Sequence, residues 1–330
     1  MTAYGLGPLP GTSLLDAADV VLSETGDLPH VPDLPARGLG ADGVGRTAAL
    51  LEAVSVDRGP RSWIMTDRPQ LLTRRTRDLL ERDLDTLEEA WGTRVPELKV
   101  QVTGPWTLAA SIELASGHRV ITDSGALRDL SEALVAGVNA HAAELARRFA
   151  ADVIVQLDEP LLPDIAAGLP GVTRFNPIRP VHPKDLGDRL AGVVAGLDVE
   201  RVLLNQTGYA PLWEVARSSG ADTVLVTLDQ VQGTAHFDGL GHTVSAGVRL
   251  GLGVTGPGDV VDELRQRPRE RAVAVARFWE QLGLDPQWLS ERVDIHPRAG
   301  FPTGPLLDAA GAYAMARVVD HMLRTDAGDL

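Results

Sequence analysis

The sequence predicts an α/β protein whose parallel sheet closes into a single (β/α)8 TIM barrel. Three observations lead there. Short apolar or β-branched runs recur along the chain and alternate with longer segments of helical apolar spacing. The short runs are apolar at successive positions, as strands covered by helices on both faces must be. Eight such units fit within 330 residues, which suits one closed barrel over residues 1–330 better than an open doubly wound sheet.

In chain order the strands are expected at residues 4–6, 63–65, 98–102, 153–157, 202–204, 224–228, 248–254 and 293–295. The clearest helix is expected over residues 124–150, where Leu127, Leu130, Leu134, Val138, Leu145 and Phe149 form one apolar stripe. His141 falls on that stripe and reads as a core or boundary residue. Further helices are expected at 46–57, 70–91, 184–197, 210–219, 258–282 and 305–323, with Pro257 and Pro305 at helix starts, where a missing N–H costs nothing. The run Gly38-Leu39-Gly40-Ala41-Asp42-Gly43 lacks the order of a dinucleotide-binding turn and reads as part of a long loop over residues 26–45.

Composition excludes several function classes. With 31 Lys+Arg against 45 Asp+Glu the net charge is −14, so neither nucleic acid phosphate nor anionic lipid is an expected partner. There is no cysteine, which removes disulfides, thiolate nucleophiles, iron–sulfur clusters and thiolate zinc sites. The opening Met1-Thr2-Ala3-Tyr4-Gly5 has no signal-peptide character and no apolar run approaches the length of a membrane span, so a cytoplasmic protein acting on a small molecule is expected.

In such a barrel, chemistry sits at the carboxyl ends of the strands. The sharpest feature there is Asp158-Glu159, ending the apolar run Val153-Ile154-Val155-Gln156-Leu157. Neighbouring strand residues face opposite ways, so one carboxylate at most enters the mouth and the other braces structure. A mouth carboxylate binds an amine or moves a proton. His182, His236, His242 and His296 all fall in expected loops or strand ends, and none has a recognised ligand spacing. Loops that met in space could still group His236, Asp229 and His296 around a metal.

Four segments resemble a known family. Val102-Thr103-Gly104-Pro105-Trp106-Thr107-Leu108, then Val155-Gln156-Leu157-Asp158-Glu159-Pro160-Leu161, are similar to the T-G-P-x-T and Q-x-D-E-P-x-L segments of cobalamin-independent methionine synthase. Gly5-Leu6-Gly7-Pro8-Leu9-Pro10-Gly11-Thr12 resembles the I-G-S-F-P-Q-T that opens that family's catalytic barrel, and Ile295-His296-Pro297-Arg298-Ala299-Gly300-Phe301 resembles its N-P-D-C-G-L. The chain resembles the catalytic carboxy-terminal half alone.

The resemblance implies a 5-methyltetrahydropteroyltriglutamate–homocysteine S-methyltransferase type of enzyme, in which zinc activates the homocysteine thiol and a methylfolate supplies the methyl group. It places the zinc ligands on Asn205, Thr207, Thr227 and Ala299, so that no ligand is retained; Asp229 lies two residues beyond Thr227. It gives Asp158 the substrate's amino group, with Glu159 beside it as a catalytic carboxylate. Asn205, Thr207, Asp229, His296 and Trp106 then complete a substrate site, Trp106 lying near the position of a pterin-stacking tryptophan.

Three readings follow: a methionine-synthase-like enzyme with altered chemistry on an amino acid or thiol; a non-catalytic barrel paralogue that binds a small molecule; and a metal-free lyase resembling uroporphyrinogen decarboxylase. The last would need a carboxylate clamp from Arg37, Arg46, Arg68 or Arg298.

Overall fold

The computed structural model describes residues 1–93, 95–171, 176–262 and 264–325. In chain order the elements are α1 (Leu14–Glu24), α2 (Gly43–Leu50), β1 (Ser55–Arg58), β2 (Trp63–Thr66), α3 (Leu71–Trp91), β3 (Glu97–Thr103), α4 (Pro105–Ser111), β4 (Ile112–Glu113), α5 (Ser124–Phe149), β5 (Asp152–Asp158), α6 (Leu162–Ala167), α7 (Pro183–Gly196), β6 (Arg201–Asn205), α8 (Trp213–Ser218), β7 (Thr223–Thr227), α9 (Thr234–Ser245), β8 (Arg249–Thr255), α10 (Gln266–Gln281), α11 (Pro286–Arg292), β9 (Val293–Pro297) and α12 (Leu306–Thr325).

Six parallel strands in the order β3-β5-β6-β7-β8-β9 form the main sheet, each following its neighbour through helical crossovers. Register and the two-residue side-chain period sort its residues into two cores. Ile154, Leu203 and Leu225 point inward and meet Tyr4, Leu6 and Leu28 in a small interior core. The alternate positions, such as Val155, Leu204, Val226 and Leu252, pack outward against the helices in one large core. The long helix α5 shows why local sequence suffices for some elements. The Asp123 carboxylate accepts from the N–H groups of Gly125 and Ala126, both at 2.9 Å, and caps the helix whose stripe of Leu127, Leu130, Leu134, Val138, Leu145 and Phe149 is buried.

Several expectations are corrected. Residues 63–65, expected as a strand of the main sheet, belong to β2, which pairs antiparallel with β1 and parallel with β4 in a separate three-stranded sheet. Beside β3 lies instead the segment around His30: Val31 N–H donates to Lys99 O and Lys99 N–H to Pro29 O, both at 2.9 Å. Beside β9 lies the chain's first segment, where Tyr4 N–H donates to Ile295 O and Ile295 N–H to Thr2 O. These two segments meet through Asp33 N–H to Gly7 O and Leu9 N–H to Asp33 O. They make single bridges rather than ladders, because Pro8, Pro29 and Pro32 have no N–H to give.

The helix expected over 46–57 stops at Leu50 and gives way to β1; the one expected from 258 begins at Gln266, leaving Pro257 in a turn. Helices α1, α4, α6, α9 and α11 were not expected. In α9, Gly239 serves packing: a Cβ there would run into the Trp213 ring.

Candidate functional site

The carboxyl ends of β3 and β5 bring the segments 102–108 and 155–161 into contact, with the end of β6 beside them. Asp158 and Glu159 divide as strand geometry requires. Glu159 turns outward and is fully buried; its carboxylate accepts from Trp106 N–H at 2.9 Å, Thr107 N–H at 2.8 Å and Thr107 Oγ1 at 2.6 Å. It therefore holds the first turn of α4, and the motif residues Gly104 and Thr107 acquire a physical reason. A Cβ at Gly104 would collide with the Glu159 carboxylate. Burial pushes the Glu159 carboxyl up to about 7, against the pull of those donors. The adjacent backbone is tied as well, since Tyr209 Oη donates to Glu159 O at 3.0 Å.

Asp158 turns inward and is half-buried. Its Oδ1 accepts from Gln156 Nε2 and from Asn205 Nδ2, each at 2.7 Å, while Oδ2 accepts from no donor among the described residues. Gln156 is itself fixed twice more. Its Nε2 donates to Leu6 O at 2.9 Å and its Oε1 accepts from Lys99 Nζ at 2.8 Å. Asn205 is fixed by Thr207, whose N–H and Oγ1 donate to Asn205 Oδ1 at 3.0 and 2.8 Å. Burial pushes the Asp158 carboxyl up to about 6, opposed by Asn205, Gln156 and the Lys99 charge, and brings Lys99 down to about 8. The result is a preorganised carboxylate with one oxygen committed and one open.

Of the expected site residues, Asp158, Asn205 and Thr207 form this one network. Asp229 lies exposed in the turn after β7 with Arg298 Nε 3.9 Å away, and Thr227 Oγ1 donates to Arg298 O at 3.3 Å. His296 is not a mouth residue. It is fully buried within β9, stacked on Tyr4 at 5.8 Å between ring centroids, with Nδ1 2.7 Å from Pro297 O, and burial brings its pKa down to about 4. Trp106 is not placed as a stacking platform. It is buried, its Nε1 donates to Leu186 O on α7 at 3.0 Å, and it lines a groove of about 790 Å³ between α5 and α7. It turns outward because it follows Pro105 in the turn of α4 that Glu159 holds.

The four positions implied as zinc ligands do not form a zinc donor set: Asn205 Oδ1 already accepts from Thr207, Thr227 binds a carbonyl, and Ala299 has no donor atom. His236, Asp229 and His296 are not brought together either. His236 sits in α9 with Nδ1 accepting from Trp213 Nε1 at 3.0 Å, while His296 is sealed in the interior. His182 caps α7 by accepting from Lys184 N–H, and His242 lies in the last turn of α9. The arginines considered for a carboxylate clamp are differently disposed. Arg37 Nη1 lies 2.6 Å from Asp83, and Arg46 lies 2.7 Å from Asp33 and 3.4 Å from Asp83, so these charges are balanced; Arg68 is exposed.

Sequence reasoning passed over Lys99 and Gln156 as site residues. The signal was present: Lys99 is one of two lysines in the chain and interrupts an apolar strand.

No protein-family model matches the chain, and no curated protein does. Solved structures do. A methyltransferase from Methanosarcina mazei is 16% identical, with 98% of this chain and 95% of that one covered at a TM-score of 0.53. A B12-independent methionine synthase from Shewanella sp. W3-18-1, in complex with selenomethionine, is 14% identical, with 96% of this chain and 89% of that one covered at a TM-score of 0.56. The class these comparisons define is a fold: the α/β architecture with a curled parallel sheet that a methyltransferase and a methionine synthase share with this chain.

Proposed function

We propose that this chain is a methionine-synthase-like barrel protein that binds a small amine-bearing molecule, an amino acid or a related thiol, at Asp158. The observation that carries the reading is the half-buried carboxylate whose Oδ1 is held by Gln156 and Asn205 and whose Oδ2 is open. An ammonium group answers that oxygen with a charge-assisted hydrogen bond. The two bridged segments, residues 2–9 and 29–33, count in this reading as the first two staves of an eight-stave barrel, with the mouth at the ends of β3, β5 and β6.

The reading keeps the amino-acid end of methionine synthase chemistry and drops its metal end. Asn205, at a position the family resemblance assigns to a zinc ligand, here steadies Asp158, so no thiolate-forming step is assigned to this chain. A methyl-transfer reaction on the bound molecule, with a methylfolate-type donor, is the class that the resemblance supports.

Calorimetric titration of L-homocysteine and L-methionine tests the reading. The wild-type protein is expected to bind at least one of them, and Asp158→Asn to weaken binding by at least about tenfold, the loss of one charge-assisted bond. The variant should unfold at a similar temperature, because Oδ1 and its two donors keep their places. Absence of binding to both amino acids, or equal binding by the variant, would overturn it.

A further inference from the structure

Lys99 lies in the middle of β3 and is fully buried. Register sets three pairs side by side on the inward face of β3 and β5: Lys99 with Ile154, Gln101 with Gln156, and Thr103 with Asp158. The lysine side chain stays on this face. Its Nζ donates to Gln156 Oε1 at 2.8 Å and to Gln101 Oε1 at 3.5 Å.

An ammonium has three hydrogens and no lone pair, so it meets only the oxygen of a carboxamide. Both glutamines therefore turn their nitrogens elsewhere. Gln101 Nε2 donates to Val31 O at 2.7 Å, and Gln156 Nε2 donates to Leu6 O at 2.9 Å and to Asp158 Oδ1 at 2.7 Å. The outcome is one chain of hydrogen bonds from an ammonium through a carboxamide to a carboxylate. A cation at the amide oxygen strengthens the amide as a donor at its nitrogen. Of the other ionisable groups that reach Lys99 or Asp158, Asp33 is balanced by Arg46 at 2.7 Å, burial keeps His30, His296 and Tyr209 neutral, and Glu159 faces the outer side. Lys99 is the cation that acts on Asp158 across the interior.

Direct contact between the two charges would cover the carboxylate and leave a ligand ammonium nothing to neutralise. With Gln156 between them, the interior charge reaches Asp158 on its Oδ1 side, and Oδ2 has no donor among the described residues. We propose that Lys99 is a positioning residue of the amine site: held one carboxamide away, it supplies the counter-charge of Asp158 without covering it, and so reserves Oδ2 for a cationic group of the ligand. This rests on the reading of the mouth given above, and adds that the site selects an ammonium over a neutral or anionic group at that place.

Two neutral replacements separate charge from shape. Lys99→Met keeps the length without donors, and Lys99→Gln keeps a donor without the charge. In the ligand-free protein the carboxyl 13C signal of Asp158, identified by its loss in Asp158→Asn, is expected to titrate at least about half a pH unit higher in both variants. Either variant alone suffices for this comparison, and a side chain that only filled space would leave the midpoint in place. Calorimetry of L-methionine and L-homocysteine at a pH of about 6, where the Asp158 carboxyl is half ionised, is expected to show binding at least about twofold weaker in each variant. In an Asp158→Asn background, where the charge that Lys99 serves is gone, Lys99→Met should cause no further loss. An unmoved Asp158 midpoint, or equal weakening with and without the Asp158 charge, would overturn the proposal. The titration needs no ligand, so absence of binding to both amino acids would overturn the reading of the mouth while the midpoint still decides the role of Lys99.

Discussion

Asp158 is pulled in two directions by its surroundings, and the two have opposite consequences for pH. Its carboxyl rises from 3.8 to about 6 in the folded protein. The native state therefore favours the protonated form: this group's contribution to stability is fully present below 3.8 and is lost as pH rises through about 6. An ammonium ligand needs the ionised form. Its dissociation constant is expected to be flat above that value and to rise about tenfold for each unit of pH below it. Calorimetry of the bound amino acid across this range measures the profile; a flat response would remove Asp158 from the contact. The stability side is read by urea midpoints of the wild type and Asp158→Asn at the two ends of the range, where the variant should lose the part of the decline that Asp158 supplies.

At the scale of elements, the joint between β5 and α4 is made by one side chain. Removing the carboxylate in Glu159→Ala leaves the N–H groups of Trp106 and Thr107 and the Thr107 hydroxyl buried without an acceptor, beside a cavity at Gly104. A loss of about 3 kcal/mol is expected, measurable as a lowered urea midpoint. A loss under about 0.5 kcal/mol would show that α4 does not depend on the joint. The same elements show what sequence can and cannot reveal. The stripe of α5 and the apolar runs of β3, β5, β6, β7 and β8 are local signals and were legible. Helix α4 was not, since Thr103-Gly104-Pro105 reads as a turn until Glu159, more than fifty residues away, is known to hold it. The segment 29–33 was hidden for the opposite reason: Pro29 and Pro32 mark a loop locally, while His30 and Val31 sit beside β3. Asp158 was legible from its place at a strand end, but the oxygen left open depends on Gln156, Asn205 and Lys99 meeting in space. No spacing along the chain encodes that.

The whole molecule is held unevenly. Strands β3 to β9 of the main sheet share continuous ladders, whereas residues 2–9 and 29–33 are joined to them and to one another by single bridges. Regions with fewer shared backbone bonds open at lower free energy. The amides of Tyr4, Val31 and Asp33 are therefore expected to exchange with solvent at least about tenfold faster than those of Val155 and Leu204 in native-state hydrogen exchange. Equal protection would mean that interior packing of Tyr4, Leu6 and Leu28 closes this seam as firmly as a ladder does.

The single peptide between Asp158 and Glu159 has one more consequence. It gears the interior of the sheet to the helical layer outside it: whatever displaces the end of β5 on one side must displace the first turn of α4 on the other. The Trp106 indole rides on that turn and is anchored to the Leu186 carbonyl of α7. Occupancy at Asp158 thus acquires an optical gauge on the opposite face of the wall, in the emission that Trp106→Phe subtracts from the whole.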